Sequence, residues 1–279
     1  MTDILPTLLI FDSGIGGLSI ADEIRARIPV SRIFYVADNA IFPYGIQEES
    51  VLIQRLLDLL PFLEVYARPD LIVIACNTAS TVVLEPLRQQ TRTPIIGVVP
   101  AIKPAAQLSQ NQHIGLLATA GTVKRQYVQK LIDSFASHCT VTKVGSSELV
   151  HEAENKLRGL PVDDAVIAQA LAPFGTAQPT PDVVVLGCTH FPFLRDEITR
   201  HLPPGTRLID SGEAIARRAV SLLQDITPSP TTLSDNEFLF TADTTAARKM
   251  AETLHLHGFA RVHLGTNSIT EKPQKHGAT

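Results

Sequence analysis

Two cysteines close segments that repeat each other. Pro69-Asp70 is followed by four apolar residues, Ala75 and then Cys76-Asn77-Thr78. Pro181-Asp182 is followed, without a gap, by four apolar residues, Gly187 and then Cys188-Thr189-His190. Each apolar run has strand length, and the polar residues after it are ones that open helices. A thiol at such a place lies near unpaired N–H groups and the positive end of a helix dipole, which favour thiolate. A single free cysteine is more often a small buried hydrophobe, and Cys139, which has no matching segment, is read as a core or half-buried strand residue. The gapless pairing sets Cys76 and Cys188 apart. Three chemistries could use two equivalent thiols. A disulfide is disfavoured in a reducing compartment. A metal site fits poorly, because Cys188-x-His190 matches no common zinc spacing and Cys76 has no second ligand nearby. Two opposed bases that invert a stereocentre would also account for the likeness of the two segments.

A second segment of interest is Phe11-Asp12-Ser13-Gly14-Ile15-Gly16-Gly17-Leu18-Ser19, a strand running through a glycine-rich turn into a helix. It nearly matches a dinucleotide fingerprint, with Asp38 after the next strand. Ser19 at the third small position and a carboxylate at Asp12, where pyrophosphate would lie, weigh against that use. A small zwitterion fits better: Ser13 and backbone N–H groups suit a carboxylate, and Asp12 suits an ammonium or a thiol. A tight turn with an Asp cap is the plain alternative. Pro43-Tyr44-Gly45 reads as a rigid turn of the kind that frames pockets.

These residues need elements to hold them. Short β-branched runs alternate with longer, charge-decorated stretches. Strands are expected at Thr7–Phe11, Ile33–Ala37, Leu71–Ala75, Ile95–Val98, Ile114–Leu117, Val141–Val144, Val183–Leu186 and Arg207–Ile209. Helices are expected at Leu18–Ala26, Glu48–Tyr66, Ser80–Gln90, Ala101–Leu108, Lys124–Ser137, Asp163–Leu171, Leu194–His201 and Glu213–Leu223. Nearly continuous apolar strands separated by helices imply parallel sheets covered on both faces, an α/β fold. Leu8–Gly14 also resembles Ile114–Ala120, so the chain reads as two similar doubly wound halves with a site in the cleft between them. The expected division is residues 1–98 plus 210–270 as a discontinuous first domain, 99–209 as the second, and 271–279 as a flexible tail, with an extended connector at Thr227–Ser234.

Composition narrows the classes. The chain has 279 residues, 44% of them hydrophobic, and a formal net charge of -4. Disorder as the main state is excluded, and no electrostatic footprint for nucleic acid is present. With no Trp, 4 Tyr and 11 Phe, base-stacking platforms are not expected. No apolar run reaches the roughly 18 residues of a membrane helix, and no basic residue precedes the first apolar segment. Three cysteines argue against a disulfide framework. A cytoplasmic protein without a membrane partner is the expectation.

Taken together, Asp12–Ser19, Pro43–Gly45, Ala75–Ser80, Leu116–Val123, Leu186–Pro192 and Ile209–Gly212 resemble the glutamate racemase family, over about Leu8 to His255. The resemblance implies interconversion of L- and D-glutamate without pyridoxal phosphate, metal or other cofactor, and supply of D-glutamate for peptidoglycan. It implies that Cys76 and Cys188 are the proton donor and acceptor, with Asp12 and His190 assisting, each near one thiol. Asp12, Ser13, Tyr44, Gly45, Asn77, Thr78, Thr189 and His190 would contact glutamate, and Thr119 and Thr122 would add hydrogen bonds. The family's assisting Glu falls at Glu154, with Glu152 as the competing position. Thr122–Tyr127 resembles the subset that a cell-wall precursor activates, and a homodimer is the assembly considered. A racemase of another amino acid such as aspartate, a dinucleotide-binding α/β protein and a two-lobed binding module stay open on the residues alone.

Overall fold

The computed structural model describes residues 5–224, 226 and 235–269. Its strands are β1 (Thr7–Asp12), β2 (Arg32–Ala37), β3 (Leu71–Ile74), β4 (Ile95–Gly97), β5 (His113–Ala118), β6 (Thr140–Gly145), β7 (Val183–Leu186), β8 (Arg207–Ile209), β9 (Glu237–Phe240) and β10 (Arg261–Leu264). Between them run α1 (Leu18–Arg27), α2 (Glu49–Ala67), α3 (Asn77–Gln90), α4 (Ile102–Leu108), α5 (Ala120–Lys124), α6 (Gln126–Phe135), α7 (Glu148–Leu157), α8 (Asp164–Thr176), α9 (Arg195–His201), α10 (Gly212–Leu223) and α11 (Thr245–Ala251).

The strands form two sheets, ordered β10-β9-β2-β1-β3-β4 and β6-β5-β7-β8, and their pairings are parallel. The order β2-β1-β3-β4 of the first sheet recurs as β6-β5-β7-β8 in the second. The internal sequence repeat therefore has a structural counterpart. Asp70 N donates to Thr7 O, and Asp182 N donates to His113 O, so the two Pro-Asp pairs start equivalent strands. Both faces of each sheet are covered. In the first lobe α1, α10 and α11 pack on one face, and α2 and α3 on the other. In the second lobe α7, α8 and α9 face α4 and α6 across the sheet. Buried on both sides, strands such as Leu8–Phe11 and Val183–Leu186 carry no polar residue, as parallel strands require.

All eight expected strands form. The stretch expected as one helix over Lys124–Ser137 is α5 and α6, which meet at Arg125. Helices α7 and α11 and strands β9 and β10 were not anticipated. Of these, α7 opens on a Gly145-Ser146-Ser147 turn that mimics a loop signal. The connector expected at Thr227–Ser234, the tail 271–279 and residues 1–4, 225 and 270 of the expected first domain lie outside the described residues.

Strands β9 and β10 are fixed by charge as well as by hydrogen bonding. Glu237, 1% exposed, accepts from Arg32 at 2.6 Å, Arg261 at 2.9 Å and Tyr66 OH at 2.8 Å, and meets His263 Nε2 at 2.9 Å. Burial opposes its charge, but the bonds from His263, Arg32 and Tyr66 win and hold the carboxyl at about 2. A lowered carboxyl stabilises the fold above its unfolded value and loses that contribution as pH falls toward 2. Glu237→Gln is expected to cost about 3 kcal/mol at neutral pH. Urea unfolding should show the gap to wild type narrowing below pH 4.5, the ordinary carboxyl value.

Candidate active site

Strands β3 and β7 occupy equivalent places, and each delivers a thiol to the cleft. Ala75 N donates to Phe11 O and Gly187 N to Leu117 O, both at 2.7 Å, which fixes the exit of each strand beside its neighbour. Cys76 and Cys188 follow, 5% and 7% exposed. Both line one tight cavity in the cleft, of about 10 Å³, the room of a single water. Ser13, Tyr44, Gly45, Asn77 and Thr78 line it from the first lobe, and Thr119, Thr189 and His190 from the second.

The surroundings of the two sulfurs differ. Cys188 Sγ lies 3.8 Å from His190 Nδ1, and His190 Nε2 lies 3.2 Å from Glu154 Oε1. Glu154 Oε1 also accepts from Ile15 N of the first lobe at 3.2 Å, and Oε2 pairs with the Arg158 guanidinium. Burial opposes a charge on His190, yet its bonds to Cys188 and Glu154 carry it up to about 10. Burial also opposes the charge on Glu154, but His190 and Arg158 hold its carboxyl below the usual range. Glu152, the competing position, is half-buried and accepts from Asp163 N instead. Geometry thus puts Glu154, and not Glu152, behind the histidine.

Cys76 has no such cation. Its Sγ meets Ser13 Oγ at 3.7 Å. The helix that it caps, α3, was expected to favour the thiolate. Burial and the nearby charge of Asp12 outweigh the N–H of Ala79 and push the thiol well above its ordinary value. Asp12 lies beneath the glycine turn, fully buried. Its Oδ2 accepts from Gly14 N and Gly17 N, both at 3.2 Å, and Thr189 Oγ1 donates to its Oδ1 at 3.3 Å. Burial raises its own pKa. Asp12 shapes the turn and the field at Cys76, while Ser13 makes the sulfur contact.

The rim is built from both lobes. Tyr44 OH donates to Asp38 Oδ2 at 2.6 Å, and Arg55 and Thr241 hold the same carboxylate. A ribose would find Asp38 already saturated, which removes the acceptor that the dinucleotide reading needs. Thr78, Thr119 and Thr122 form a hydroxyl triangle with sides of 2.9–3.0 Å across the cleft. Two polar atoms in the wall have no partner, although both are closed off from solvent: Asn77 Nδ2 and Ser147 Oγ. Ser147 was not singled out in the sequence. Its one signal was its place after β6, the counterpart of β2, whose following loop carries Tyr44. Among the described residues no cluster of three or more His, Cys, Asp or Glu could hold a metal.

Residues 18–219 match the family model described as Asp/Glu/Hydantoin racemase. The chain is 48% identical over 258 residues to the glutamate racemase of Klebsiella pneumoniae, covering 92% of this chain and 91% of that protein. Its structure resembles Escherichia coli glutamate racemase, solved with L-glutamate and the activator UDP-MurNAc-ala, with a TM-score of 0.88, 44% identity, and coverage of 94% and 99% of the two chains. A glutamate racemase isoform from Bacillus anthracis gives a TM-score of 0.79 at 26% identity, with coverage of 94% and 97%.

Gly16, in the turn after β1, has no room for a side chain. A Cβ on Gly16 would stand 2.6 Å from His190 Cε1. Gly16→Ala is expected to destabilise the protein by about 1–3 kcal/mol, because the buried ring has nowhere to move. Gly175, in α8 with nothing within 4 Å of its Cβ position, is the control. Gly175→Ala should stabilise by about 0.5–1 kcal/mol in the same denaturant titration.

Proposed function

The chain belongs to the Asp/Glu/Hydantoin racemase family and is an isomerase; from that premise we propose that it interconverts L- and D-glutamate by proton transfer between Cys76, Cys188 and the substrate α-carbon. The observation that carries this is the meeting of two thiols from equivalent strand ends in one cavity. One sulfur, as thiolate, takes the α-proton. The opposite thiol gives its proton to the other face of the same carbon. Cα–H breaks on one side and forms on the other, and the two sulfurs have exchanged protonation states when product leaves. The α-proton of an amino acid is a very weak acid, so fixed donors must stabilise the charge that develops. Asn77 Nδ2, with no partner in the cavity wall, is such a donor, and Thr78 and Thr189 stand beside it. His190 as imidazolium sets a positive charge against Cys188 Sγ, and Glu154 anchors the imidazolium. Asp12, Ser13, Tyr44 and Gly45 complete the substrate cradle in this reading.

The same reading assigns the product to peptidoglycan synthesis in the cytoplasm. The described helices include none long and apolar enough to cross a membrane. It includes the two-domain division, a homodimer as the assembly, and activation by a cell-wall precursor. For the last, an open groove of about 420 Å³ brings Arg88 and Arg218 together with Tyr127, which could hold a diphosphate and a flat base. Tyr127 closes the Thr122–Tyr127 segment that carried the activator resemblance.

With purified protein and no added cofactor, each glutamate enantiomer in D₂O should acquire deuterium at Cα as it racemises. Cys76→Ala and Cys188→Ala should each cut racemisation by at least about 10³-fold; racemisation retained in both would refute the two-thiol assignment. A second outcome concerns pH. The raised His190 is charged below about 10 and neutral above it. kcat/KM should therefore fall on the alkaline side as pH passes about 10. His190→Asn should lower kcat/KM by about a hundredfold and abolish that limb.

A further inference from the structure

We infer that Ser147 is a further substrate-binding residue, donating from the second lobe to a carboxylate oxygen of glutamate. The inference rests on the racemase reading and goes beyond the residues that reading names. Ser147 stands at the N-cap of α7, a position where a serine normally accepts from the first turn of its helix. Here it does not: its side chain makes no cap bond. The neighbouring Ser146 takes that work, accepting from Leu149 N at 3.3 Å and donating to Glu148 at 2.8 Å. The Ser147 hydroxyl is thereby released from the helix. It is closed off from solvent, has no partner and lines the same cavity as both thiols.

A buried hydroxyl left unmade costs stability, and such atoms in a folded protein call for an explanation. The cavity supplies one. Asn77 Nδ2 is unpartnered in the same wall and comes from the first lobe. Two orphan donors, one from each lobe, suit a dicarboxylate, whose oxygens are acceptors only once ionised. A substrate held from both lobes also stabilises the closed cleft. Ser147 is thus a contact made to substrate rather than to the fold.

Two kinds of measurement test this, one of them independent of turnover. Ser147→Ala removes an unsatisfied group, so the ligand-free variant should melt at the wild-type temperature or higher. The rise in melting temperature that glutamate produces should shrink. In racemisation assays KM for glutamate should rise about tenfold with kcat changed far less. Ser147→Thr, which keeps the hydroxyl, should recover most of the lost affinity. A lower melting temperature for ligand-free Ser147→Ala would assign the hydroxyl to the fold and overturn the inference. So would an unchanged KM together with an unchanged glutamate shift. If the wild-type protein is neither stabilised by glutamate nor active on it, the racemase reading itself fails. If wild type is both and Ser147→Ala matches it, only the Ser147 assignment fails.

Discussion

Charge has to be kept inside a closed cleft, and the line of groups from Cys188 through His190 and Glu154 to Arg158 is how this protein keeps it. His190 and Glu154 are 1% and 4% exposed. An isolated charge so buried would neutralise itself. As a pair the two hold each other ionised, and Ile15 N and Arg158 satisfy the remaining carboxylate lone pairs. The arrangement also ties the lobes together. Glu154 belongs to α7 of the second lobe, and Ile15 N to the glycine turn of the first. Ser19 Oγ donates to Thr189 O at 2.9 Å beside it. The carboxylate that holds the imidazolium is itself held across the cleft.

That line exists on one side only, although the frame is repeated. Behind Cys188 stand a cation and its carboxylate. Behind Cys76 stand a hydroxyl and the field of Asp12. The two sulfurs therefore sit in different surroundings, and at Cys76 burial and Asp12 push the thiol up. Such asymmetry cannot bias the product. Enantiomers have equal free energies, so kcat/KM is the same in both directions whatever surrounds each sulfur.

Much of this was legible in the residues. The Pro-Asp, apolar run, Cys pattern gave both thiols and their symmetry, because a parallel strand buried on both faces must be continuously apolar and must end where polarity begins. The glycine turn was legible because close approach leaves few alternatives to glycine: a Cβ on Gly14 would meet Phe42, and one on Gly16 the His190 ring. What the residues did not reveal depended on contacts distant in sequence. No local pattern says that Asp12 turns under its own loop, leaving Ser13 to meet the sulfur. The helix-terminus argument for Cys76 was sound as far as it went, but it omitted desolvation, and desolvation is larger. Strands β9 and β10 escaped because Glu237 and His263 break the apolar pattern. They are tolerated there only because each lies against the other, with Arg32 and Tyr66 closing the group.

The same long-range packing limits how substrate gets in. The cavity is walled by residues of both lobes. Backbone meets backbone at its edge, since a Cβ on Gly121 would run into Gly45 O. Arg125 pairs with Glu49 just outside. No side chain can swing aside there, because glycine has none. Entry then requires the segments themselves to part. The two chain crossings between sheets, near Val99 and Ser211, are joined by a 2.6 Å hydrogen bond. Parting the lobes would stretch the contacts that run from one to the other, the hydroxyl triangle and the Ile15–Glu154 bond among them. Of the charged line only Glu154 is held across the cleft, by Ile15 N, so parting the lobes would cost that carboxylate a donor, while the Cys188–His190–Glu154 contacts stay within the second lobe.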